Sequence, residues 1–200
     1  MIAPMDSTTE TPERRGRGRP RDTRLQEKIE AAALSVLARH GFSGLTLERI
    51  CVEAGAPKAT FYRRWPTPTA CVMDAYGRVW SEAEYKDTGD PQQDLEAFGR
   101  KLMQLYGHPL LGPCSLAIQS ESRVNPGVNE RLQSRALQRR TRNTATLQAA
   151  LDRLSRPPAL SAALILNALN GVARNVQTLR WPVSDGDFSL LIRSLLSPPP

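Results

Sequence analysis

Between Pro57 and Arg64 the chain reads PKATFYRR, and this run carries Lys58, Thr60, Tyr62, Arg63 and Arg64 in close succession. Cations, a hydroxyl and a phenol at such density are hydrogen-bond donors looking for an anionic acceptor. The run cannot stand as a helix by itself, because isolated helices below roughly 12–15 residues are marginal in water. Other elements must hold it and decide where its charges point.

The whole chain shares its electrostatic bias. Its 200 residues carry 27 Lys and Arg against 20 Asp and Glu, for a net charge of +7 and a pI near 9.8. An anionic partner follows from such a balance, although a fold does not. The excess is concentrated in Arg14, Arg15, Arg17, Arg19, Arg21 and Arg24, which only Asp22 opposes.

Elements able to position the run can be read on either side of it. Leu25, Ile29, Ala32, Ala33, Val36 and Leu37 form one helical stripe from about Thr23, closed at Gly41. Thr46 caps a second helix with Leu47, Ile50, Cys51 and Ala54 on its apolar side and Glu48 in its first turn. Gly55 ends it, Pro57 suits the first turn of a third helix over 57–64, and Trp65-Pro66 closes that helix. Thr67-Pro68 then opens a fourth helix, which runs to about Glu84. Beyond residues 86–91 the pattern predicts helices near 91–106, 113–123, 126–155, 158–180 and 186–196, divided by proline-bearing breaks. No stretch alternates with period two. The fold class is therefore all-α, with a small N-terminal helical domain and a larger C-terminal one.

Two short helices joined by a glycine turn behind a longer helix describe a helix-turn-helix, in which the second helix enters the major groove. Phe61 and Trp65 turn inward in this register, and Lys58, Ala59, Thr60, Tyr62, Arg63 and Arg64 are left outward or lateral. An ordinary helical hairpin with solvated charges is the competing reading, and the basic N-terminal arm favours the DNA-binding one.

Residues 45–76, LTLERICVEAGAPKATFYRRWPTPTACVMDAY, behind AAALSVLARHGFSG at 31–44, resemble the DNA-binding domain of the tetracycline-repressor (TetR) family. The resemblance rests on His40-Gly41-Phe42, Thr46, Ala54-Gly55, Thr60-Phe61-Tyr62 and Trp65 in combination, over about residues 23–80. It implies an all-helical homodimeric regulator divided into a disordered basic arm (1–22), a helix-turn-helix domain (23–85) and an effector-binding and dimerisation domain (86–200). The implied function is repression at a palindromic double-stranded DNA operator, relieved when a small molecule binds. A basic architectural protein with weak sequence preference is the alternative.

Carried over by position, the resemblance gives Thr46 and Arg64 phosphate contacts and sets Lys58, Ala59 and Thr60 against bases. Tyr62 lies along the backbone, and Arg63 reaches either bases or phosphate. Two positions depart from the family. Pro68 stands where a phosphate-binding lysine is usual, which leaves backbone N–H groups at Thr69 and Ala70 to attract the anion. Pro57 stands where a hydroxyl residue is common. The sequence GRGRPRD at 16–22, which contains Arg17, Arg19 and Arg21, is similar to a minor-groove AT-hook core; it reads equally well as a basic tail without groove preference.

The remaining candidates carry less. Arg131, Arg135 and Arg139, with Arg140 and Arg142 beside them, read as a solvated helix face. Asn167, Asn170 and Arg174 share one helical side; they line an effector pocket, bond across a dimer or are exposed. The alanine- and leucine-rich stretch 158–180, together with 188–196, exceeds one apolar stripe and is expected to form the homodimer interface, with Leu169 in it.

Several function classes find no support. Cys51, Cys71 and Cys114 have no metal-ligand spacing, no cofactor motif appears, and the thiols fit a reducing cytoplasm. No signal peptide is legible, and the longest apolar run, 159–169, is too short to cross a bilayer. His108 and Cys114 are separated by proline and glycine breaks, and no phosphate loop, GxSxG or HExxH occurs, so catalysis is not expected. Cys114 reads best as a lone buried thiol, with a redox role left open.

Overall fold

The computed structural model describes residues 23–198, and all regular structure among them is α-helical. The helices are α1 (Thr23–His40), α2 (Leu47–Ala54), α3 (Lys58–Tyr62), α4 (Pro68–Ser81), α5 (Pro91–Gly107), α6 (Leu111–Glu121), α7 (Pro126–Leu151), α8 (Ala162–Thr178) and α9 (Asp185–Leu195). The arm with Arg17, Arg19 and Arg21 lies outside the described residues.

The first four helices form the N-terminal unit. Ile29, Ala33, Val36 and Leu37 bury the stripe of α1, and Leu47, Ile50 and Cys51 bury that of α2. Thr46 caps α2 by accepting the Arg49 N–H at 3.3 Å. Gly55 adopts φ 61°, the left-handed conformation that lets the chain leave α2 and turn at once into α3.

The third helix is shorter than the sequence pattern predicts. It covers five residues, and Pro57 stands outside it as the N-cap with ψ 144°. The carbonyl of Pro57 accepts from Thr60 N at 2.9 Å and Phe61 N at 3.4 Å. Beyond Tyr62 the chain tightens, with Arg64 N and Trp65 N both bonded to Phe61 O. The physical reason is burial: the tightening carries Trp65 into the core beside Phe61, with ring centroids 5.4 Å apart.

The C-terminal unit is built around α5, which packs against α6, α7, α8 and α9. The two units are joined where α1 meets α6 and where α4 meets α7. Several helix ends differ from the expected ones. Helix α4 stops at Ser81 because Ala83 and Tyr85 enter the core in a non-helical connection. Asn143 on α7 replaces the lost helical hydrogen bonds, donating to Ala83 O at 3.0 Å and accepting from Tyr85 N at 3.2 Å. Helix α6 starts early at Leu111, where His108 Nδ1 accepts from Leu110 N at 3.1 Å. Helix α8 starts late at Ala162, where Ser161 caps it.

Leu169 does not belong to an exposed interface. It is fully buried in the chain's own core with Ile165, Ala162 and Ala173. The apolar surplus of this region is met partly inside the subunit; the large side chains left outward include Leu164 and Leu190 on the helices, at 51% and 55% exposure, and Leu179 and Trp181 just beyond the end of α8.

Candidate nucleic-acid interface and interior cavity

The outward surface of the helix-turn-helix collects the sequence-predicted donors. Lys58, Ala59, Tyr62 and Arg63 are exposed, whereas Thr60 and Arg64 are half-buried. Tyr62 is 58% exposed, and its ring stands edge-on against Phe61 at 5.9 Å, so a buried neighbour holds an outward phenol in place. Thr46 is exposed at the start of α2, and its hydroxyl oxygen already accepts the cap bond, which leaves its O–H free to donate outward. Thr69 sits half-buried in the first turn of α4, whose N-cap Thr67 accepts from Ala70 N at 3.1 Å.

Lys58 has a partner that the sequence did not suggest. Its ammonium pairs with the Glu48 carboxylate across the turn. The side-chain hydrogen bond from Lys58 lowers the Glu48 pKa from its ordinary value, and the same bond raises that of Lys58. The pair is exposed, so water screens it and a polyanion can compete for the lysine.

The expectation of a solvated face holds for part of α7, where Arg131, Arg140 and Arg142 are exposed, but not for Arg135 and Arg139, which are half-buried against α4. Arg135 pairs with Asp74 on α4, and Arg142 pairs with Glu84 at 3.0 Å. Arg139 lies over the Trp80 ring, 5.2 Å from its centroid, and burial holds its pKa below the ordinary guanidinium range. The reason is tertiary: α4 packs along α7 and presents Asp74, Gly77 and Trp80 to these side chains. A Cβ built on Gly77 would lie 2.0 Å from Arg135 Nη1, so any larger residue there would push the guanidinium out of this position. A glycine inside a helix is a sequence sign of close approach, and it was the one available clue to this contact.

The same packing forms a partly open cavity of about 380 Å³ between α4, α5, α7 and α8. Tyr76, Trp80, Phe98 and Tyr106 give it an aromatic wall. The α8 side contributes Asn167, Asn170, Gly171 and Arg174, so the three residues grouped by helical spacing do share this wall. Asn170 Oδ1 accepts from the Tyr106 hydroxyl at 2.9 Å. A larger recess of about 1450 Å³ adjoins it between α1, α4 and α7, bordered by Arg63, Arg64, Arg78 and Arg142. The smaller cavity falls within the roughly 300–1,000 Å³ usual for small-molecule sites, and the recess exceeds that range.

The thiols and His108 form no reactive site. All three cysteines are buried. Cys114 Sγ donates to Leu34 O at 3.2 Å, and burial pushes its pKa up to about 12. His108 is spent as the acceptor that caps α6. Among the described residues there is no group of His, Cys, Asp and Glu placed to hold a metal ion, and no helix is long and apolar enough to cross a membrane.

Comparison with known proteins gives two family matches. Residues 29–72 match the bacterial regulatory proteins of the tetR family, and residues 85–193 match the tetracyclin repressor-like C-terminal domain. The HTH-type transcriptional regulator Rv1556 of Mycobacterium tuberculosis is 32% identical over 136 residues, covering 67% of this chain and 64% of the relative. YdeS of Bacillus subtilis, also an HTH-type transcriptional regulator, is 35% identical over 80 residues, 40% of each chain. These matches thus span less than two thirds of the curated relatives' length. Among solved structures, a transcriptional regulator of Pseudomonas aeruginosa PAO1 superposes with a TM-score of 0.69 at 20% identity, over 88% of this chain and 90% of that one. GusR of Salmonella enterica gives 0.67 at 17% identity over 88% and 95%, and the flavonoid-responsive regulator FrrA gives 0.64 at 17% over 87% and 94%. These likenesses establish a shared fold.

Proposed function

The chain belongs to the TetR family of DNA-binding transcriptional regulators, and we propose that it acts as a homodimeric repressor released from a palindromic operator by a small molecule. In this reading α3 enters the major groove, with Lys58, Ala59 and Thr60 toward base edges. Tyr62, Thr46, Arg64 and the N–H of Thr69 hold phosphates, and Arg63 reaches either. Arg17, Arg19 and Arg21 follow the adjacent minor groove. Residues 23–85 form the reader and 86–200 the effector and dimer domain, with Leu164 and Leu190 facing the second copy.

One observation carries the regulatory part. Arg135 borders the aromatic cavity and also pairs with Asp74, whose second oxygen accepts the Trp65 indole at 3.1 Å. Trp65 ends the segment that carries the recognition helix, so an occupant of the cavity touches the reader through two side chains. Two half-sites are read only if the recognition helices stand about 34–36 Å apart, one DNA turn. An effector that binds better to another spacing shifts the population off DNA by its differential affinity and no further. The flavonoid response in FrrA's name belongs to that protein; it is consistent with ligand control on this fold.

The test is a footprint on genomic fragments, followed by binding of Tyr62→Ala and Lys58→Ala to the protected site. A discrete palindrome and a loss of affinity in both variants at normal helicity are expected. Uniform coating of the fragments favours an architectural role, and parental binding by both variants removes α3 as the reader.

A further inference from the structure

The charge balance of the cavity is one-sided. Arg135, Arg139, Arg140 and Arg174 border it, and no Asp or Glu does. Arg135 is neutralised by Asp74. Arg139 and Arg174 have no carboxylate partner among the described residues; Arg174 is exposed at the cavity's rim, and Arg139 is half-buried with its guanidinium against Trp80. Removing a guanidinium from water without an anion is costly, and a cation–π contact worth about 0.5–2 kcal/mol returns only part of that cost. The neighbouring phenols do not supply the anion. Burial raises the pKa of Tyr76 and of Tyr106, so both are neutral at pH 7.

The rest of the wall specifies a body for the missing anion. Trp80 and Tyr106 meet edge-on at 4.7 Å between centroids, and Phe98 and Leu166 add apolar surface. Trp80 also carries a buried Nε1 donor with no hydrogen-bond partner. The polar groups beside Arg174 include the amides of Asn167 and Asn170, the latter already engaged by Tyr106. We infer that the cavity takes a small aromatic carboxylate, with its anionic group between Arg139 and Arg174 and its ring against Trp80. This rests on the reading of the cavity as the effector site and names the chemical class that site selects.

The experiment is calorimetry on the full chain with matched acid and amide probes, 1-naphthoate against 1-naphthamide and benzoate against benzamide. At least one acid is expected to bind about tenfold or more tightly than its amide, a difference of about 1.4 kcal/mol. Arg139→Gln and Arg174→Gln each remove most of that preference and leave amide binding unchanged. Gly171→Leu is the blocking control. A Cβ there meets nothing within 4 Å, and leucine is a better helix former, so the variant fills the cavity without threatening the fold. Acid and amide binding equally, with both blocked by Gly171→Leu, overturns the anionic class and leaves the cavity reading intact. Binding that Gly171→Leu does not weaken, or no binding of either acid at about 1 mM, a level where even a −4 kcal/mol interaction registers, overturns the cavity reading itself.

Discussion

Asp74 accepts the Trp65 indole N–H at 3.1 Å on one carboxylate oxygen and receives Arg135 on the other. One side chain of α4 therefore ties the end of the α3 segment to α7. Trp65 is buried, so its N–H loses its carboxylate acceptor if Asp74 is lost. Asp74→Ala is expected to cost about 1–3 kcal/mol, the usual penalty for an orphaned buried donor. Asp74→Asn keeps an acceptor for Trp65 and loses an ion pair that is more than a third exposed, worth at most about 1 kcal/mol. Urea unfolding of the two variants separates these effects; equal losses would show that the indole bond contributes nothing of its own.

If Lys58 contacts DNA as proposed, the Glu48–Lys58 pair sets a cost on that binding. Lys58 must leave Glu48 to reach a base or phosphate, and Glu48 itself repels the polyanion. Glu48→Gln is expected to raise operator affinity roughly two- to tenfold at about 0.1 M salt, with the gain shrinking as salt rises. The signs of the pKa shifts agree. The depressed Glu48 carboxyl keeps the pair intact above the ordinary glutamate range and loses it as pH falls through the lowered value. The raised Lys58 ammonium keeps its side at neutral pH and loses it only as pH rises through its elevated value. Gel-shift titrations at two salt concentrations check the prediction, and unchanged affinity would mean that Lys58 stays with Glu48 in the complex.

Assembly is expected to depend on Leu164 and Leu190, not on Leu169. A charge at each of the two exposed positions has no water to solvate it once a second copy covers them, and the twofold axis doubles the effect. Leu164→Glu with Leu190→Glu should sediment as a folded monomer and lose specific operator affinity. Leu169→Glu buries an unpaired carboxylate in the subunit core and should lose helicity at about 25 °C, since such changes cost several kcal/mol. A parent that sediments as a monomer, or a double variant that stays dimeric, contradicts the assignment.

The thiols are expected to be silent. With its pKa pushed up to about 12, Cys114 is thiolate at only about one part in ten thousand at pH 8, and the thiolate is the reactive form. Burial also raises Cys51 and Cys71. Ellman's reagent at pH 8 should detect almost no thiol in the native protein and all three after denaturation. A fast-reacting native thiol would reopen a redox role.

Local rules written into the chain determined much of this protein. Thr46, Gly55, Thr67 and Pro68 set helix limits through capping and backbone preference, which depend on neighbours in sequence, and the structure keeps them. The stripe through Ile29, Val36 and Leu37 is likewise periodic, so α1 and its buried side were legible. What tertiary structure decided are contacts between groups far apart in the chain. Arg135 meets Asp74 across 61 positions, Asn143 closes the connection after α4, and Leu169 turns inward because α5 covers α8. Spacing along α7 placed its arginines on one side of a helix. Only the packing of α4 decided that Arg135 and Arg139 would be drawn from water to the border of an aromatic cavity while Arg131 stayed exposed, because the free energy of a charge depends on what surrounds it.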